Sequence, residues 1–147
     1  MMTKKGPKVL EYNVRFGDPE TQSVLPLLKT DLAELMYACT ENKLSDFDIE
    51  IDSKSAATVV VAAGGYPGSY PKGTKMTLTQ TPEDVILFHA GTSLSDDTLK
   101  TSGGRVIAST ATGATLADAV KRAYEGVKSI QFDGMQFRKD IAARALK

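Results

Sequence analysis

Three residues near the start of the chain have the types and spacing to act on a phosphate-bearing substrate. Residues 8–16 read KVLEYNVRF. The run alternates with the period of a strand, so Glu11, Asn13 and Arg15 share one face and Leu10, Tyr12, Val14 and Phe16 the other. A carboxylate and an amide oxygen two residues apart on one face can both reach a single hard cation. Mg²⁺ takes such oxygen ligands and leaves the rest of its shell to water and substrate phosphates. An arginine one step further along can grip a phosphoryl or carboxylate oxygen bidentately. The competing account is an outer strand with one wet face, as antiparallel sheets commonly have. On pattern alone that account is the stronger.

The other candidates are weaker by the same test. Gly17-Asp18-Pro19-Glu20 adds carboxylates beside Arg15, yet its composition is that of a turn. Gly64-Gly65-Tyr66-Pro67-Gly68 follows an apolar run and could offer backbone N–H groups to an anion. It lacks the lysine of a phosphate-binding loop and the glycine spacing of a dinucleotide fold, so a tight structural turn is favoured. His89 lies in an apolar run beside Phe88 and reads as a satisfied core histidine. Cys39 reads as core, Ser102 and Ser109 lack the context of a nucleophile, and Arg138-Lys139-Asp140 reads as a solvated helix start.

Composition narrows the classes of function. The chain has 147 residues, enough for one domain with a sizeable core. Eighteen basic and 18 acidic residues leave a formal charge of zero, which argues against a nucleic-acid surface. No apolar stretch is long enough to span a membrane, and Lys4, Lys5 and Lys8 are followed by no apolar segment of a secretory signal. The lone cysteine excludes an internal disulfide or a thiolate zinc cluster and suits a reducing, cytoplasmic setting. The lone histidine excludes multi-histidine metal sites.

The elements that must position these residues predict an α+β architecture. The strand at 8–16 is followed by a helical stretch from Glu20, interrupted near Pro26. A second helix begins at Thr30 as N-cap, with Leu32, Leu35, Met36 and Cys39 as its buried stripe. Residues 41–56 read as a polar connection. Strands are predicted at Ala57–Ala63, Val85–Ala90, Arg105–Thr110 and Ile130–Phe132, with turns at Lys72-Gly73 and Asp133-Gly134. Thr115 and Asp118 have capping-box spacing ahead of the clearest helix, whose apolar stripe is Leu116, Ala119, Val120, Ala123, Tyr124 and Val127, with Gly126 as a mild interruption. A last helix is expected at Lys139–Leu146.

The stretch EYNVRFGDPETQ at 11–22 resembles the signature of the phosphoribosylamine–glycine ligase family, also called glycinamide ribonucleotide synthetases. GGYPGSY at 64–70, FHAGT at 88–92, SGGRV at 102–106 and FRKDIAARAL at 137–146 resemble successive landmarks of the C-terminal part of those enzymes. The resemblance covers essentially the whole chain, in order. It implies the last strand or strands of an ATP-grasp domain and its connecting helix over 1–44. A small C-terminal domain of short, mostly antiparallel strands with packed helices is implied over 45–147.

The activity implied is ATP-dependent joining of glycine to 5-phosphoribosylamine, early in purine synthesis. ATP phosphorylates the glycine carboxylate, and the amine then attacks the acyl phosphate. By resemblance Glu11 and Asn13 hold Mg²⁺ (or Mn²⁺) against the ATP phosphates, and Arg15 stabilises the transferring phosphoryl group. Asp18 shapes the glycine pocket, and Gly64 and Gly65 are further substrate-contact candidates. This reverses the balance for the face of Glu11, Asn13 and Arg15. The family's enzymes are far longer, and the adenine pocket, flexible lid and N-terminal domain have no counterpart here. The chain therefore reads as a C-terminal fragment, inactive alone, whose implied partner is the rest of the ligase. In many eukaryotes that ligase is fused to aminoimidazole ribonucleotide synthetase, and this chain stops where such a fusion would continue. The alternative is a non-catalytic module, derived from that domain, that binds a small molecule or a partner.

Overall fold

A computed structural model describes residues 1–147. The centre of the fold is a four-stranded antiparallel sheet. Its long members are β3 (Ser55–Ala62) and β8 (Arg105–Gly113), flanked by β10 (Gln136–Phe137) and β5 (Val85–His89) in the order β10-β3-β8-β5. The β-branched and small residues of SAATVVVA and RVIASTATG suit a central, doubly covered strand. Two short pairs extend the unit: β4 (Met76–Leu78) with β9 (Ile130–Phe132), and the hairpin of β6 (Thr92–Ser95) with β7 (Thr98–Thr101). Asp96 and Asp97 both take positive φ at the hairpin tip, as a tight two-residue turn requires.

Helix α3 (Leu116–Val127) covers one face of the sheet. Its buried Ala119, Val120, Ala123 and Val127 join Val59, Val61, Ile107, Ala111 and Val85 in the core. Thr115 caps it, accepting from the Asp118 backbone amide at 3.1 Å. The capping box is only half formed, because the Asp118 carboxylate accepts from the Thr115 hydroxyl at 2.7 Å. Gly126 is no interruption. It is where the helix comes closest to the sheet, and a Cβ there would lie well under 3.0 Å from both Ser109 Oγ and Val85 Cγ1.

The opposite face of the sheet carries Thr58, Val60 and Ala62, and α1 (Glu20–Val24) packs across it. A helical turn at Leu25–Leu27 follows, with Pro26 inside it. Helix α2 (Leu32–Thr40) is capped by Asp31, which accepts from the Ala33 and Glu34 amides. Thr30, the expected cap, instead accepts from the Glu50 amide at 2.7 Å and ties the connection down. Of the predicted stripe only Leu35 is buried. Met36 and Cys39 are exposed, and Ala38 takes the inner position.

The main correction concerns residues 8–16. They form no strand; the first strands are a small hairpin of β1 (Met2–Thr3) and β2 (Gly6–Pro7). A strand exists only through its ladder, and residues 9–16 make no backbone-to-backbone hydrogen bond in this chain. Leu10, Tyr12, Val14 and Phe16 are all exposed. The expected final helix is a series of turns, broken where Ala142 takes a φ of 59°. There Tyr124 Oη accepts from the Ile141 amide and donates to the Arg138 carbonyl, pinning the segment to α3.

Candidate functional site

The turn after Phe16 is the first part of the N-terminal segment to be held by the sheet. The Gly17 carbonyl accepts from the Thr21 amide at 3.0 Å, which starts α1. Asp18 is gripped from two sides. Gln22 Nε2 donates to its Oδ1 at 3.2 Å, and Arg105 Nε lies 3.2 Å from its Oδ2. Arg105 Nη1 also donates to the Asp18 carbonyl at 3.2 Å. Ser23 Oγ lies 2.7 Å from Thr58 Oγ1, which lies 2.8 Å from the fully buried Thr110 Oγ1. This hydroxyl chain fastens α1 to the two central strands.

Two clefts flank α1. On the β3–β10 side is an open cleft of about 640 Å³, lined among others by Thr58, Tyr66, Arg105, Gln136 and Arg138. On the β5 side is a smaller one of about 300 Å³, between Phe16–Leu25 and the pair Phe88 and His89. Gln22 Oε1 is buried there without a partner. His89 is therefore not a core residue. It is exposed at a cleft wall, and its Nδ1 lies 3.0 Å from Thr92 Oγ1.

Of the expected site residues, Glu11, Asn13 and Arg15 lie together on the exposed segment leading into this turn. The Arg15 guanidinium donates to the Phe16 carbonyl at 3.2 Å. No group of three or more His, Cys, Asp or Glu is placed to hold a metal ion. The chain can offer Mg²⁺ the Glu11 carboxylate and the Asn13 amide oxygen. That donor set suits a hard cation completed by phosphate oxygens. Gly64 and Gly65, in the loop beside the larger cleft, are glycines for a steric reason. A Cβ on Gly64 would meet the Gly134 carbonyl at 2.6 Å, and Gly65, at φ 94°, has no room for one against the Ser69 carbonyl. Backbone packing accounts for both glycines. At the cleft's far end Arg138 donates twice to Asp140, at 2.9 and 2.7 Å. The pairing holds the Asp140 carboxyl below and the Arg138 guanidinium above their ordinary ranges.

Sequence reasoning missed Arg105, Gln136 and the orphaned Gln22 oxygen. The only signal for Arg105 was a charge directly after Gly103-Gly104 at the head of an apolar strand.

An α+β unit with a charged turn clamped to one sheet face is the class these features define. Residues 56–144 match the family model described as phosphoribosylglycinamide synthetase, C domain, and the chain belongs to that family. It is 54% identical to a bifunctional purine biosynthetic protein of Schizosaccharomyces pombe, over 99% of this chain and 19% of that protein. It is 48% identical to a phosphoribosylamine–glycine ligase of Caldanaerobacter subterraneus, over 97% of this chain and 34% of the relative. A crystal structure of phosphoribosylamine–glycine ligase from Thermotoga maritima matches with a TM-score of 0.74 at 36% identity, covering 95% of this chain and 34% of that one. The chain thus spans a fifth to a third of the length of these relatives. No helix is long and apolar enough to cross a membrane.

Proposed function

We propose that the chain is the C-terminal portion of an ATP-dependent ligase that joins glycine to 5-phosphoribosylamine in the cytoplasm. The observation that carries this is the likeness of nearly the whole chain to such ligases in both sequence and fold. In the reaction the γ-phosphoryl of ATP passes to a glycine carboxylate oxygen and ADP departs. The amine nitrogen then forms the amide bond to the glycyl carbon, phosphate leaves, and the nitrogen gives up a proton. Arg15, ahead of the clamped turn, is the charge that stabilises the phosphoryl group in transit. Glu11 and Asn13 are the oxygen ligands for Mg²⁺ (or Mn²⁺), which when bound neutralises charge on the ATP phosphates. Asp18 orients the turn beside the glycine pocket, and Gly64 and Gly65 let the neighbouring loop approach it.

Residues 8–16 become a strand in this reading when the ATP-grasp sheet of the rest of the ligase supplies their ladder. A separate aminoimidazole ribonucleotide synthetase domain follows where the parent is fused. In this reading the chain, which spans only a fifth to a third of such relatives, is inactive alone. The test is glycine-dependent ADP release with phosphoribosylamine generated in situ. The chain is mixed with a polypeptide supplying the remainder of a ligase, and each is also assayed alone. Turnover only in the mixture is expected. Turnover by this chain alone, or none in a continuous chain of both parts, overturns the proposal. A second reading, a non-catalytic binding module, draws on the open 640 Å³ cleft lined by residues of this chain. Activity unchanged by Glu11→Ala in the continuous chain favours it.

A further inference from the structure

We propose that Arg105 is a positioning residue: it fixes the turn at Asp18, three residues after Arg15, on the sheet and thereby sets where the Arg15 guanidinium is presented. This inference rests on the ligase reading for its catalytic consequence, but not for its structural content. Val61 pairs with Ile107, and Ala62 pairs not with Val106 but with Arg105, so the ladder slips between Val61 and Ala62. Val61 and Ile107 are buried in the core on the α3 face. Simple alternation along β8 would place Arg105 on that same face. The extra residue, Val106, is wholly buried, and the slip turns Arg105 outward beside Ala62 and into the larger cleft. Bulges commonly re-aim a side chain in this way beside functional sites.

Arg105 then spans 87 positions of sequence to reach Asp18 with two contacts of different kind, one to the carboxylate and one to the backbone carbonyl. The pair is nearly half exposed, with side chains at 42% and 45% exposure. Ion pairs so open to water add little to stability. The carbonyl contact adds something a stability pair lacks: it fixes the peptide plane between Asp18 and Pro19, in the turn three residues after Arg15. No other side chain outside residues 15–22 bonds to this turn. The two contacts together make Arg105 a strut from the sheet rather than a surface pair.

The experiment pairs a structural readout with a catalytic one, using Arg105→Gln and Arg105→Lys. In the 147-residue chain, amide hydrogen exchange is followed by NMR at Thr21, whose N–H closes the turn, and at Val59 and Ile107 in the core. Arg105→Gln is expected to speed exchange at Thr21 by about fivefold or more, through local opening, and to leave the core amides unchanged. Arg105→Lys, which keeps the charge but not the fork, falls between. In the continuous ligase chain, Arg105→Gln is expected to lower kcat by about 10- to 100-fold with KM for ATP unchanged. Arg105→Lys partly restores kcat. Unchanged Thr21 exchange, uniform acceleration of all amides, or an unchanged kcat in an active ligase overturns the proposal. An inactive parental chain refutes the ligase reading instead, and the exchange data still decide the role of Arg105.

Discussion

Replacing Gly126 by alanine separates two opposite expectations. On an exposed helix, glycine to alanine stabilises by about 1 kcal/mol. Here the added methyl would sit well under 3.0 Å from Ser109 Oγ and Val85 Cγ1, both inside ordinary contact. Neither neighbour yields freely. Ser109 is wholly buried, and its hydroxyl donates to the Ala123 carbonyl at 2.8 Å. Val85 is a core member at the edge of the sheet. Overpacking of this kind costs about 1–3 kcal/mol, and losing the Ser109 hydrogen bond costs about 1 more. Setting the helix gain against these leaves a net loss of about 2 kcal/mol. For a chain of this size that lowers the melting temperature by about 4–8 °C. Urea unfolding followed by circular dichroism gives the free energy, and a thermal scan gives the shift. A Gly126→Ala variant as stable as the parent, or more so, refutes the seating of α3 on β5 and β8.

Three further outcomes follow from named contacts. Thr58→Val breaks the hydroxyl chain and leaves the buried Thr110 hydroxyl without a partner, costing about 1–3 kcal/mol; the Thr58→Val, Thr110→Val double variant is expected to lose less than the two single losses combined, and simple additivity in urea unfolding contradicts the chain. Thr115→Ala removes the α3 cap, worth about 1 kcal/mol. The same hydroxyl is the main cause of the lowered Asp118 pKa, so this folded-state value lies below the unfolded one. The associated stability is present above the ordinary carboxylate range and is lost as pH falls through the depressed value. In Thr115→Ala an NMR titration should show Asp118 moving up, and no movement contradicts the assignment. Finally, Cys39 is expected to react with a thiol reagent in the folded chain about as fast as in denaturant, whereas strong protection contradicts the exposed face of α2.

The sequence patterns that survived folding are those whose partners lie inside the chain. Strands β3, β5, β8 and β9 and helix α3 were legible because their apolar periods match faces that the same residues bury. Lys8–Phe16 has an equally clear period, yet the run finds no ladder partner here, and periodicity cannot say whether a partner exists. The last segment reads as a helix until the Tyr124 hydroxyl captures the Arg138 carbonyl and Ile141 amide, a tertiary competition invisible to local pattern. Strands β6 (TSLS) and β7 (TLKT) are too polar to stand out as apolar runs, and β10 has only two residues. Met36 and Cys39 have core spacing but lie on a helix only two of whose residues are buried. The candidate site divides similarly. Glu11, Asn13 and Arg15 stand out by type and spacing and Asp18 only through the family resemblance, whereas Arg105 depends on a register slip that only strand pairing reveals. Gly126 was misjudged because its role lies in what it touches, not in what it is.

The central claim is that this chain supplies a ligase with Glu11 and Asn13 as metal ligands and Arg15 as the charge on the phosphoryl group. The most direct measurement is glycine-dependent ADP release by the continuous ligase chain carrying Glu11→Ala, across a Mg²⁺ titration. The account predicts a fall of about 100-fold or more at low Mg²⁺, with partial recovery as the metal is raised. Activity and Mg²⁺ dependence equal to those of the parent would contradict it.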